Sequence, residues 1–136
     1  MEEQREEGIL RVEDAMRPAT DLVLDADATV DRTLQSLDEK SPEVLLVRLN
    51  PTGWSSVTKQ ELEGMTKEGK GGETLASVRA GREIPYLHPD HPLETALRYV
   101  DRWPLVPVVN RAEFRKLEGV VSEHDMLTRY RDFGEG

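Results

Sequence analysis

A hydroxyl, an imidazole and a carboxylate fall close together at Ser122, His124 and Asp125. They sit where an apolar run (Leu117, Val120, Val121) passes through Gly119 into an amphipathic stretch (Met126, Leu127, Tyr130). The pattern reads as a strand that delivers polar side chains to the first turn of a helix. Such a junction exposes unpaired amides and the positive end of the helix dipole, which together make a natural seat for phosphate. A hydroxyl there adds a hydrogen bond, and a carboxylate one turn on can accept two from a ribose diol. His124 stands on the same turn, within reach of a phosphate. The same residues also spell S-x-x-D, which a helix uses to cap its own N-terminus. Residue type and spacing leave both readings open.

A second tempting cluster is "HPDH" (88–91), with two imidazoles around a carboxylate. A zinc site needs about four such ligands in tetrahedral array. The turn-forming prolines favour a capping turn instead, with Asp90 or His91 closing the helix that begins at Leu93. Nucleophile elbow, phosphate-binding P-loop, HExxH and cysteine nucleophile are all missing from the sequence, so no catalytic template is met and an enzyme is not expected. Trp54 and Trp103 read as packing residues.

The 136 residues carry a net charge of −9 and no cysteine. A balance this acidic argues against a nucleic-acid partner, whose binding rests on neutralising many phosphates. A single nucleotide needs only a local cation, for which Arg79, Arg82, Arg129 and Arg131 are available. The longest apolar runs fall well short of a membrane span, and the acidic start "MEEQREEG" is unlike a signal peptide, so a cytoplasmic location is expected.

The positioning elements come from an internal repeat. "LDADATVDRTLQSL" (24–37) lies over "LHPDHPLETALRYV" (87–100), with Leu24/Leu87, Asp27/Asp90 and Leu34/Leu97 identical. "EVLLVRL" (43–49) and "LVPVVN" (105–110) follow as apolar strands. Then "WSSVTKQEL" (54–62) lies over "EGVVSEHDM" (118–126), which places Thr58 over Ser122 and Glu61 over Asp125. Each half is a β-α-β-β-α unit, and the fold class is α/β (α+β) with two pseudo-symmetric repeats packed through their sheets. The expected division is a flexible acidic leader (1–8), a first repeat (9–66), a linker (67–73) within "TKEGKGGE" (66–73), a second repeat (74–132) and a tail (133–136).

The repeat, the "VPVVN" strand (106–110) and the closing "GVVSEHDM" (119–126) resemble a tandem cystathionine-β-synthase (CBS) domain pair, the Bateman module. The resemblance covers residues 12–131. It implies that Ser122 and Asp125 contact the phosphate and ribose of an adenosine nucleotide, AMP or ATP, with Mg²⁺ as an accompanying ion. It also implies that such a site is completed by the opposite repeat. The nucleotide-binding set is then Asp125, Ser122, His124 and Val121 with Thr20, Val23 and Val44. The pseudo-equivalent second site would use Thr58, Glu61, Ile84 and Val106. It departs from the family pattern, because Ser55 replaces the glycine and Glu61, longer by a methylene, replaces the aspartate. The resemblance further implies homodimers and a larger host, with a bacterial chloride-channel-type transporter as the expected one. Two functions follow: a ligand-sensing regulatory module, or a dimerisation module whose nucleotide sites are vestigial.

Overall fold

The computed structural model describes residues 10–49 and 53–135; the acidic leader expected at 1–8 lies outside them. The elements in chain order are α1 (Val12–Ala15), β1 (Val23–Leu24), α2 (Val30–Ser36), β2 (Val44–Arg48), β3 (Trp54–Thr58), α3 (Lys59–Lys67), α4 (Leu75–Val78), α5 (Leu93–Val100), β4 (Val106–Val109), β5 (Leu117–Val121) and α6 (Glu123–Glu135). They form a mixed α/β chain, as the repeat pattern requires. Among the described residues no helix is long and apolar enough to cross a membrane.

Two compact units result, one of residues 20–84 and one that joins the N-terminal segment to residues 85 onward. In the 20–84 unit the sheet order is β1-β2-β3, with β1 parallel to β2 and β2 antiparallel to β3. Leu45 and Val47 of β2 face a core of Val30, Val57, Leu62 and Leu75. Leu46, on the opposite face of the same strand, is buried as well. Helix α2 is capped by Thr29, whose hydroxyl accepts from the Arg32 amide at 3.1 Å. The glycine-rich stretch read as a linker is a hydrogen-bonded turn. The carbonyls of Gly71 and Glu73 accept from the amides of Asp31 and Val30, at 3.0 and 2.9 Å. Those amides belong to the first turn of α2 and have no partner inside the helix. The turn thereby carries α4 onto this unit, where Leu75 is fully buried.

The other unit pairs β4 and β5 antiparallel. Its first strand shrinks to one parallel bridge, Leu87 to Val108. All of β4 is buried, as expected of the unbroken apolar run "VPVV". The core joins Leu87, Leu93, Val106, Val121 and Met126 to Val12 of α1. Helix α5 starts at Pro92 with no side-chain cap, contrary to the expectation for Asp90 or His91. Asp90 is drawn instead into a two-pronged pair with Arg111, the shortest contact being 2.8 Å. Helix α6 runs to Glu135, so the residues expected as a tail are helical up to that point.

Segment 10–19 is strapped onto this second unit. Arg17 and Val120 exchange both backbone hydrogen bonds at 2.9 Å, adding an edge to β5. The approach is close enough that Gly119 is required. A Cβ there would sit 2.8 Å from the Arg17 carbonyl oxygen and 3.2 Å from the Met16 sulfur. In the first repeat the equivalent position holds Ser55, buried, whose hydroxyl donates to the Arg82 carbonyl at 2.7 Å. Gly119→Ala should therefore destabilise the chain by about 1–3 kcal/mol, because the backbone it strikes cannot retreat without losing the bridge. Gly64→Ala, in helix α3 with nothing within 4 Å of the added carbon, should stabilise it by about 0.5–1 kcal/mol. Urea melts of the two variants check the pair, and equal shifts of the same sign would contradict the packing.

Candidate functional site

Strand β5 ends at Val121 and helix α6 begins two residues later, so the first amides of α6 emerge beside the sheet edge. The Ser122 and Asp125 amides are satisfied reciprocally. Asp125 Oδ2 accepts from the Ser122 amide at 2.8 Å and from the Ser122 hydroxyl at 2.9 Å, and the Ser122 oxygen accepts from the Asp125 amide at 3.3 Å. This is the capping arrangement that the S-x-x-D spacing allowed. A third partner was not among the candidates. Arg17 Nε lies 3.1 Å from both carboxylate oxygens. The Asp125 side chain is only 13% exposed against 45% for Arg17, so the aspartate is held and the arginine remains half in solvent.

The first repeat builds the same device with other residues. The Thr58 hydroxyl accepts from the Glu61 amide at 3.0 Å and the Glu61 carboxylate accepts from the Thr58 amide at 2.9 Å. Arg79 closes the arrangement, its guanidinium 3.0 Å from Glu61 Oε2. Burial pushes the Glu61 carboxyl up, but the Thr58 amide and the nearby Arg79 charge outweigh it and leave the group below its usual 4.5. Arg79 is one of the four cations that the sequence offers to a nucleotide, but it does not stand free in solvent. It is 5% exposed instead, and its Nε has no partner among the described residues. The longer glutamate thus finds an arginine of its own chain.

The remaining candidates sort by unit. Thr20, Val23, Val44, Thr58, Glu61 and Ile84 belong to the 20–84 unit, where Val44 is the cross-strand partner of Thr58. Val106, Val121, Ser122, His124 and Asp125 belong to the other unit, where Val106 is the cross-strand partner of Val121. Thr20 is exposed on a turn, Val23 and Val44 are half-buried, and Ile84, Val106 and Val121 are buried. His124 is exposed on the first turn of α6.

Each acid opens onto a cleft beside a one-turn helix: between α6 and α1 for Asp125, and between α3 and α4 for Glu61. Beside Asp125 the cleft measures about 280 Å³ and is lined by Asp14, Asp132, His124 and Arg129. Beside Glu61 it measures about 430 Å³, with Glu68 and Glu73 facing Lys70, Arg79 and Arg82. The first is acidic and the second is balanced. An anion entering the Asp125 cleft therefore meets repulsion from Asp14 and Asp132, which Arg129 opposes.

The histidine turn forms no metal centre of its own: among the described residues no three His, Asp or Glu side chains are grouped to hold an ion. Within it the His88 amide donates to His91 Nδ1 at 3.0 Å, and His88 Nδ1 lies 2.9 Å from the Val109 carbonyl.

Comparison with solved structures gives the fold first. A CBS domain-containing protein of unknown function from Bacillus anthracis str. Ames Ancestor superposes with a TM-score of 0.73 at 16% identity, covering 94% of this chain and 98% of that one. CbpB, solved in complex with c-di-AMP, gives 0.72 at 10% identity, with 98% and 93% covered. The cystathionine beta-synthase pair domain assigned to a Mg²⁺ transporter of Shewanella oneidensis MR-1 gives 0.63 at 18% identity, with 90% and 70% covered. At these identities the likeness is one of fold. No curated protein matches the sequence. Residues 76–132 match the CBS domain family. Family match and fold together support a tandem CBS domain pair.

Glu61→Gln tests the first-repeat device. With the folded pKa lowered, the carboxylate contributes stability that is fully present above the unfolded value of 4.5 and is lost as pH falls through the folded one. The variant should be less stable at neutral pH by about 0.5 kcal/mol, a small value because the side chain is 43% exposed. It should also lack the wild-type loss on acidification. Melting temperatures read down to about pH 3 check this, and parallel pH profiles would contradict it.

Proposed function

We propose that the chain is a regulatory module, without catalysis of its own, that binds an adenosine nucleotide at the Ser122–Asp125 junction. The observation that carries this reading is the carboxylate of Asp125, held rigid and 13% exposed at the N-terminus of the 13-residue α6, at the rim of a cleft. A fixed carboxylate suits a ribose diol, and the Ser122 hydroxyl and His124 suit a phosphate. The acidic lining of Asp14 and Asp132 favours AMP, or ATP accompanied by Mg²⁺, over an unaccompanied triphosphate. CbpB, with its c-di-AMP, adds a cyclic dinucleotide to the ligands worth testing. On this reading the Glu61 junction is the weaker site, since a longer glutamate stands in place of the aspartate and Ser55 in place of the glycine.

The proposed setting is cytoplasmic, as a homodimer of CBS pairs that controls a transporter or channel. A chloride-channel-type host rests on sequence resemblance, and a transporter host in general is favoured by the Mg²⁺-transporter pair domain. A second reading, a dimerisation module with vestigial sites, is favoured by one specific fact. Asp125 already accepts from Ser122 and Arg17, so a ribose must share or displace those donors.

Thermal-shift and calorimetric titration with AMP, ATP, ATP with Mg²⁺, and c-di-AMP separates the two. A ligand of the native state raises the melting midpoint. Asp125→Asn should then weaken binding about ten-fold to a hundred-fold, the equivalent of losing charge-assisted hydrogen bonds of about 1.5–3 kcal/mol. No midpoint shift with any of the four would leave the dimerisation reading standing.

A further inference from the structure

We infer that His91 is a pH-sensitive latch on the N-terminal strap: in its neutral form it holds the turn on which α1 docks, and its protonation lets the strap go.

Helix α1 has four residues, too few to persist as an isolated helix. Its unpaired first amides are taken up from outside. The Val12 amide donates to the His91 carbonyl at 2.9 Å and the Glu13 amide to the Pro89 carbonyl at 3.0 Å. In return the Leu10 carbonyl accepts from the Leu93 amide at 2.9 Å. The turn 88–91 is thus the socket for α1, and Val12, fully buried, is what it seats. Met16 and Arg17 follow directly, and with them the bridge to Val120 and the pair with Asp125.

The socket keeps its shape through one bond of unusual pH sensitivity. Within the turn the His91 amide donates to the His88 carbonyl at 3.1 Å, and the His88 amide donates to His91 Nδ1 at 3.0 Å. A ring nitrogen that accepts from an amide must carry its lone pair, so the proton of the neutral ring is on Nε2. Protonation places an N–H on Nδ1 against the His88 N–H. The hydrogen bond is lost and two donors face each other.

The groups facing His91 reinforce this. Its ring lies 5.1 Å from that of His88. Arg111 reaches the same turn through its pair with Asp90, so the carboxylate nearest to His91 is already neutralised. Glu13, the acid on the strap itself, is exposed. Burial, then His88 and Arg111, hold the His91 imidazole below its usual 6.5, with Asp90 opposing them. By linkage the latch is fully engaged above 6.5 and weakens as pH falls below that value toward the folded pKa. His88 does not share this property: its Nδ1 donates to the Val109 carbonyl and goes on donating when the ring is charged.

Amide exchange by NMR on the full chain, corrected for intrinsic rates, tests the latch between about pH 7.5 and 5.5. Protection of Val12 and Glu13 should fall about ten-fold across that range in the wild type. In His91→Asn, whose side-chain oxygen can accept from the His88 amide at every pH, it should stay flat. His124→Gln should keep the wild-type response. The His91 ring resonances of the wild type should titrate with the same midpoint as the Val12 amide shift, a readout independent of how well the variants fold. Protection that is flat in the wild type, a response that survives His91→Asn, or a ring midpoint apart from that of Val12 would each overturn the inference.

Discussion

A helix that starts at the end of a strand leaves its first amides beside the sheet, where neither the strand ladder nor the helix can pair them. Both units meet this constraint, at β3–α3 and at β5–α6, and both meet it with the same three chemical parts. A hydroxyl accepts from the amide of the third helical residue, a carboxylate reaches back to the cap amide, and an arginine neutralises the carboxylate. In one unit the parts are Thr58, Glu61 and Arg79; in the other they are Ser122, Asp125 and Arg17. The arginine arrives each time just behind a one-turn helix, Val12–Ala15 or Leu75–Val78, which has no stability of its own. Cap, strap and carboxylate therefore stand or fall together.

What the constraint leaves free is the chemistry around the carboxylate. Asp125 keeps a short side chain, and the strap beside it approaches closely enough to demand Gly119. Glu61 reaches one methylene further to an arginine that is buried, and the strand beside it tolerates Ser55. The cleft next to Asp125 is acidic while that next to Glu61 is balanced. One fold thus presents two differently charged mouths.

The repeat was legible because period and spacing were kept: Thr58 over Ser122 and Glu61 over Asp125 hold the same structural posts. Strand β4 was legible because an unbroken "VPVV" has no other use than burial on both faces. The two arginines were not. Arg17 lies 108 residues from Asp125 and Arg79 lies 18 from Glu61, so no single spacing marks them. The one available signal, an arginine one or two residues behind a one-turn helix, is weak in a chain with so many charges. Asp90 was misread as a cap because turn residues before a helix usually act so, whereas the nearby Arg111 offers a stronger, charge-assisted partner. The stretch 66–73 looked like a linker by its glycines, but its carbonyls are what the start of α2 needs.

Arg17 and Asp125 act as one unit, tying strap to helix. A double-mutant cycle of Arg17→Gln and Asp125→Asn, read by urea unfolding, measures that tie directly. A coupling of about 0.5–1 kcal/mol is predicted, for a pair held by both carboxylate oxygens with one partner largely buried. Single-mutant effects that simply add, to within about 0.3 kcal/mol, would contradict it.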